Sequence, residues 1–283
     1  MKGQSALFRV RHDGTRFRAD GEGFDAAAYS RFKYGSDRAA GEYGRRMAGL
    51  LLDVHPHASR APETVVLASA AYKHTPSAAH AVFKAMHVEL LERGVLVPVT
   101  RILRENLVEG DYGTLGAADR ERLMQANGLS VDPESVAGKH VVVVDDVRIT
   151  GSHERSVERL MDTVGPASTT FLYLVDLDRD QASADPAFED RLNHALVRDL
   201  PSYAALVDSE PCTLNARSVK SALDPRNGSD LAAFLRSRSR AWVEHLVACA
   251  AADGYDLMGT YGPSYRQALA HLARRPVPAG VTG

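Results

Sequence analysis

The chain has 283 residues, enough for one large domain or a core domain with an appended piece, and it needs no covalent staples to bury a core. A formal charge of −2, with 34 Lys and Arg against 36 Asp and Glu, excludes a strongly basic nucleic-acid footprint, and two cysteines without metal spacing, Cys212 and Cys249, exclude a disulfide framework or structural zinc. No apolar run spans a bilayer and the first residues, with Arg9, Arg11 and His12, hold no signal-peptide core, so a cytoplasmic protein without a membrane partner is expected.

In chain order, Ala6 to His12 alternates Leu7, Arg9 and Arg11 against Phe8 and Val10, Asp13-Gly14 signals a turn, and Thr15 to Arg18 resumes the alternation, which predicts a hairpin. After Gly21 to Gly23, the segment Tyr29 to Gly35 leads into a helix predicted from near Ser36, with Ala40, Tyr43, Met47 and Leu50 or Leu51 on one face. Lys33 reads as a solvated lysine on the approach loop, or else as a charge lent to a neighbouring site. His55 and His57, flanking Pro56, read as an exposed loop, with metal ligation open only in principle.

Val65 to Ala68 is a short apolar strand, and Ser69 to Thr75 a polar loop. Pro76 suits the first turn of a helix capped by Thr75, whose buried stripe is Val82, Phe83, Met86 and Leu90. Val95 to Val99 reads as the next strand. The following Thr100 to Lys139 exceeds the usual connection of about 4–6 residues, so a lid or insert is expected. A helix over Ala117 to Ala126 and a hinge at Tyr112-Gly113 are expected in it, with Arg101 and Arg104 at its start, each readable as surface charge or anion clamp.

The most informative stretch is His140 to Glu154. Val141 to Val144 is an unbroken β-branched run, the pattern of a central parallel strand covered on both faces. Two adjacent carboxylates follow, Asp145 and Asp146, then a polar loop with Gly151, then Val157, Leu160, Met161 and Val164 at helical spacing. Ligands of open α/β sheets lie beyond the carboxyl ends of strands, and a helix N-terminus there suits an anion, so this loop is expected to hold a phosphate. Two neighbouring carboxylates repel, and a sugar diol with magnesium nearby would satisfy both.

This stretch resembles the ribose-phosphate motif of the type I phosphoribosyltransferases: apolar strand, Asp-Asp, spacer, then Thr150, Gly151 and Ser152, with His153 in place of the usual final hydroxyl residue. The resemblance implies that Asp145 and Asp146 take the ribose hydroxyls of phosphoribosyl pyrophosphate. Val147, Arg148, Ile149, Thr150, Gly151, Ser152 and His153 then form the loop that cradles its 5′-phosphate. Ala71-Tyr72-Lys73 resembles the pyrophosphate loop of orotate phosphoribosyltransferases, with His74 where those have Gly. That likeness implies that Ala71 and Tyr72 backbone groups and the Lys73 ammonium hold pyrophosphate, with Arg101 and Arg104 of the lid assisting. It also implies Mg2+, reached by Asp145 and Asp146 only through substrate and water.

Thr169 to Val175 is a further buried strand ending in Asp176-Leu177-Asp178, which resembles the haloacid-dehalogenase phosphatases but falls past mid-chain; an exposed acidic strand end is the plainer reading. Beyond Asp185 the pattern is helical over Phe188 to Val197, Ala216 to Leu223, Leu231 to Ala251 and Tyr265 to Leu272, with Trp242 as a core residue. No Gly-x-x-x-x-Gly-Lys, Gly-x-Gly-x-x-Gly after a strand, His-Glu-x-x-His or Gly-x-Ser-x-Gly occurs.

The expected architecture is an α/β, phosphoribosyltransferase-like, mainly parallel sheet flanked by helices. Residues 1–60 form an N-terminal hairpin-helix arm, 61–184 the core with its insert at 100–139, 185–275 a C-terminal helical region and 276–283 a loose tail. The expected activity is transfer of ribose 5-phosphate from phosphoribosyl pyrophosphate to a nitrogen-bearing, heteroaromatic small-molecule acceptor in nucleotide or nucleoside metabolism, by a protein that a homodimer would suit. Asp145, Asp146, Lys73 and Arg104 are the catalytic candidates. The alternatives are a non-catalytic regulator that binds the same sugar phosphate, and a phosphatase or nucleotide hydrolase using Asp176 and Asp178.

Overall fold

Val141 to Val144 are fully buried in the middle of strand β6 (His140–Arg148), which is covered on both faces, as an unalternated β-branched run requires. The computed structural model describes residues 2–20, 23–104, 128–149, 151–185 and 187–274. Within them β6 joins β1 (Lys2–His12), β2 (Phe17–Ala19), β3 (Val65–Tyr72), β4 (Val99–Arg104), β5 (Leu129–Ser130) and β7 (Ser168–Leu177) in one sheet of order β2-β1-β7-β6-β3-β4-β5. The five inner strands run parallel, and β2 and β5 close the edges antiparallel. The N-terminal hairpin belongs to this sheet, because β1 buries Phe8 and Val10 and pairs with β7 from Lys2 to Val10.

On one face pack α1 (Ala26–Lys33), α2 (Asp37–Val54), α3 (His57–Arg60), α4 (Ala78–Glu92) and, beyond β7, α7 (Arg179–Ala184) and α8 (Phe188–Asn193). The other face is covered by α5 (Pro133–Val136) and α6 (Ser152–Val164). As its sequence predicts, α2 is capped by Ser36 and buries Ala40, Tyr43, Met47 and Leu51. At Gly44 any side chain would collide with Ala85 and the Met86 backbone of α4, so glycine sets how closely the two helices approach.

The C-terminal region holds a second core, built from α9 (Leu200–Ser209), α10 (Ala216–Ala222), α11 (Asp230–Ser237), α12 (Arg240–Ala252) and α13 (Gly262–Ala273), with Tyr34 from the α1–α2 junction among its buried residues. Trp242 packs on this core, edge-on to Phe234. The single helix expected over Leu231 to Ala251 is two, because Ser239 accepts from the Trp242 amide and starts a new helix.

Other boundaries differ from the sequence reading. The strand expected at Val95 to Val99 begins at Val99 and runs to Arg104, with only Ile102 of its residues buried. Its outer neighbour β5 has two residues, so β4 lies almost at the sheet edge and is mostly exposed, whereas the apolar run before it is a connection. Strand β3 continues through Ser69 to Tyr72, and Ser77 rather than Thr75 caps α4. His55 is buried against His57 and His140, not exposed. The expected helix over Ala117 to Ala126 and the hinge at Tyr112-Gly113 lie outside the described residues.

Candidate functional site

The site lies at the C-terminal end of β6, which carries both aspartates within the strand. Successive strand side chains point to opposite faces, so Asp145 shares a face with Val141 and Val143, and Asp146 shares the other with Val142 and Val144. Both carboxylates are buried. Asp146 Oδ2 accepts a 2.6 Å hydrogen bond from Lys33 Nζ, which is buried at the end of α1. Lys33 is therefore not the solvated lysine of the plainer reading. Its ammonium also stands 3.8 Å from Glu189 Oε1 on α8, and that oxygen lies 3.7 Å from Arg217 Nη2 on α10. Three distant parts of the chain meet in a row of alternating charges, and Asp146 and Lys33 line a cavity of about 710 Å3 beside it.

Burial, and next the charge of Asp146, push the Asp145 carboxyl well above the usual carboxylate range. Burial acts on Asp146 in the same direction, but the Lys33 ammonium, with Arg217 behind it, outweighs it and holds Asp146 below that range. Asp145 Oδ1 accepts the Asp146 amide at 2.8 Å, so a carboxyl pushed up by burial and one held down by Lys33 stand side by side at the end of the strand.

Beyond the pair, Val147 and Ile149 pack against the core. Arg148 is buried, its Nε donating to Glu154 Oε2 at 2.7 Å and its Nη1 to Asp176 Oδ1 at 3.4 Å. Tyr173 donates to the same Glu154 oxygen at 3.1 Å. Arg148 thus braces the loop from beneath, and its charge is already matched. Gly151 takes φ +71°, a left-handed conformation that favours glycine, and leads into Ser152 and His153 at the first turn of α6. Helix starts of this kind present backbone N–H groups to an anion. His153 Nε2 is buried without a hydrogen-bond partner among the described residues, and burial, with the Arg104 charge next, keeps the imidazole below its ordinary pKa and so neutral at pH 7. Thr150 lies outside the described residues.

The loop after β3 faces the C-terminal region. The Tyr72 ring lies between the Arg101 guanidinium, 4.5 Å away, and the His80 ring, 4.8 Å away, and Arg101 Nη2 donates to the Lys73 carbonyl at 3.1 Å. Lys73 Nζ donates to the Asp253 carbonyl at 2.8 Å, and the His74 and Thr75 amides donate to Asp253 Oδ1 at 3.1 and 3.2 Å. Asp253, at the end of α12, thus engages the assigned Lys73 ammonium through its backbone carbonyl and two neighbouring amides through its carboxylate, but not the Ala71 and Tyr72 backbone groups. Asp176 faces Arg148, and Asp178 accepts the Gln181 amide as the cap of α7, so both carboxylates of the phosphatase-like pair already have partners. Among the described residues no three His, Cys, Asp or Glu side chains gather to hold a metal ion.

A mostly parallel α/β sheet with an acidic pair, a left-handed glycine and a helix start at the end of a central strand is of the phosphoribosyltransferase type. The chain belongs to the PRTase ComF-like family, whose sequence model matches residues 1–267. Over 105 residues it is 35% identical to the bifunctional protein PyrR 1 of Lactiplantibacillus plantarum, a match that covers 37% of this chain and 55% of that protein. The chain thus spans little more than half the length of this curated relative. Solved structures similar to it include a hypoxanthine phosphoribosyltransferase of Trypanosoma cruzi, 17% identical over 50% of this chain and 70% of that one with a TM-score of 0.36. Another is an HGPRT-ase of Leishmania tarentolae in complex with GMP, 17% identical over 50% and 69% with a TM-score of 0.33. Membership of the family gives the chain a phosphoribosyltransferase-type fold.

Proposed function

We propose that the protein transfers ribose 5-phosphate from phosphoribosyl pyrophosphate to a nitrogen-bearing heteroaromatic acceptor. The observation that carries this reading is the buried Asp145–Asp146 pair at the end of β6, with Lys33 on Asp146, directly ahead of the Gly151 turn and the start of α6. Departure of pyrophosphate leaves positive charge on the anomeric carbon, and the charge of Asp146 stabilises it through the ribose hydroxyls, which Asp145 also contacts. The amides at the start of α6, with Gly151 and Ser152, hold the 5′-phosphate. Magnesium, bound through pyrophosphate oxygens and water near the aspartates, would offset charge on the leaving group.

Lys73, with the His74 and Thr75 amides, binds pyrophosphate once Asp253 releases them, and Arg104, whose charge acts on His153, adds positive charge. The engagement of those donors by Asp253 also favours a second reading, a regulator that binds the sugar phosphate without turnover. The experiment is a pyrophosphate-release assay across heteroaromatic bases with magnesium present, beside calorimetric titration with phosphoribosyl pyrophosphate. Turnover that Asp146→Asn abolishes supports transfer, binding without turnover supports the regulator, and no binding of phosphoribosyl pyrophosphate overturns both.

A further inference from the structure

The cavity that begins at Asp146 has walls for which the ribose-phosphate loop has no use. At about 710 Å3 it falls within the range of sites that bury a whole small ligand, about 300–1,000 Å3. One wall is the start of α4 at Ala78, the positive end of a 15-residue helix. Another is α10, which turns Arg217 and Lys220 towards it; three residues apart on a helix, they are neighbours on one face. Tyr34 and Tyr261 add aromatic surface.

Five carboxylates line this space: Asp146 is held by Lys33, Asp224 by Arg226, Asp199 by the Ser202 amide that it caps, Asp190 stands 3.2 Å from His194 Nδ1, and Asp230 lies in the first turn of α11. The cations of α10 are less committed. Lys220 is exposed, rests 5.6 Å from the centre of the Tyr255 ring and has no carboxylate partner among the described residues. Arg217 reaches a single oxygen of Glu189 at 3.7 Å and shares it with Lys33. An arginine fork in that state can take a planar carboxylate edge-on.

The geometry points to this cavity as the acceptor site, and to an acceptor that is a heteroaromatic ring bearing a carboxylate, gripped by Arg217 and Lys220. The inference rests on the transfer reading for the word acceptor, though the cavity and its charges do not depend on it. The C-terminal helices then close the acceptor side of the cleft and select by charge. The ring nitrogen is left facing Asp146, where the anomeric carbon would stand.

The test uses two pairs of rings, orotate against uracil, which lacks the carboxylate, and nicotinate against nicotinamide, which replaces it with a neutral amide of nearly the same shape. Each is titrated calorimetrically into the full chain, with and without phosphoribosyl pyrophosphate and magnesium. In at least one pair the carboxylate is expected to bind about tenfold or more tighter than its neutral partner, the scale of a charge-assisted contact. Arg217→Gln with Lys220→Gln should remove that ratio, and Lys220→Gln alone, at an exposed position, should reduce it. A ratio between ligands is insensitive to partial loss of folded protein. Equal affinities within both pairs, a ratio that survives the double substitution, or no binding by any of the four overturns the inference. A preserved carboxylate preference with no affinity for phosphoribosyl pyrophosphate would sink the transfer reading instead and leave this one standing.

Discussion

Lys33 and Asp146, 113 positions apart in the chain, meet at 2.6 Å at the floor of the cavity, and each is buried. The lysine ends a helix of the N-terminal region and the aspartate ends the central strand; Glu189 from the C-terminal region completes the contact. The candidate site is therefore a junction of three parts of the chain, and its charge state is set by a residue outside the loop that names the motif.

Lys33→Met removes the cation and leaves Asp146 buried with only Arg217 to offset it. Breaking a buried pair from one side costs about 3–5 kcal/mol, and the remaining arginine places the expected loss near the lower figure. Urea denaturation monitored by circular dichroism measures it. A loss below about 1 kcal/mol would mean that Asp146 is solvated and that the pair contributes little.

Asp145 works in the opposite direction. Its folded pKa is raised, so the folded protein keeps a proton that the unfolded chain has released; the stability it contributes is present below the ordinary carboxyl value and lost as pH rises through the folded one. At neutral pH its burial is a cost. Asp145→Asn, which has the shape of the protonated acid, is expected to raise the melting temperature at pH 7 by about 2–4 °C for each kcal/mol recovered, while weakening the binding of phosphoribosyl pyrophosphate. At pH 3 the two melting curves should converge. A variant that melts lower at pH 7 would show that Asp145 is ionised and supported.

Asp253→Ala frees the His74 and Thr75 amides, while Lys73 Nζ keeps its backbone acceptor. Losing an acceptor for two amides and loosening the neighbouring backbone should cost about 1–3 kcal/mol. If those two amides belong to pyrophosphate, the substitution removes a competing carboxylate, and inorganic pyrophosphate with magnesium should bind tighter in a calorimetric titration. Unchanged or weaker binding would make the two amides a tether for the C-terminal helices and remove them from the site.

The parts of this architecture that could be read from sequence are those with local signals. Four β-branched residues in a row specify a buried strand, Gly151 a turn, and Val157 with Met161 a helix face. Lys33 was hidden because Tyr29 to Gly35 reads as an approach loop whereas Lys33 ends a helix, and its partner is fixed only by the tertiary fold. Asp253 left a signal in principle: a carboxylate at the C-terminal end of a helix opposes the dipole, so its presence points to donors elsewhere. Helix α9 was missed although Asp199, Pro201 and Ser202 spell a capped start. Strand β4 was misplaced because near a sheet edge one face meets water and the apolar run ceases to mark the strand.

A pH effect on stability should arise at the far end of β6. His55 is buried, its Nδ1 has no hydrogen-bond partner among the described residues, and the rings of His140 and His57 lie 5.5 and 6.0 Å away. Burial, then the neighbouring imidazoles, lower its pKa. The unfolded chain therefore binds a proton at His55 below about pH 6.5 while the folded protein resists it, so stability is full above that value and declines as pH falls towards the folded one. His80 and His153, also lowered, add to the same slope. His55→Phe keeps a ring and removes the titration, and it should flatten part of the fall in melting temperature between pH 7 and pH 5. Six residues separate His140 from Asp146 along the strand, roughly 20 Å at about 3.3 Å per residue, so the pH dependence of phosphoribosyl pyrophosphate binding should stay as it is. Parallel melting-temperature profiles for the two proteins across that interval would show that the three imidazoles are solvated and do not oppose one another's charge.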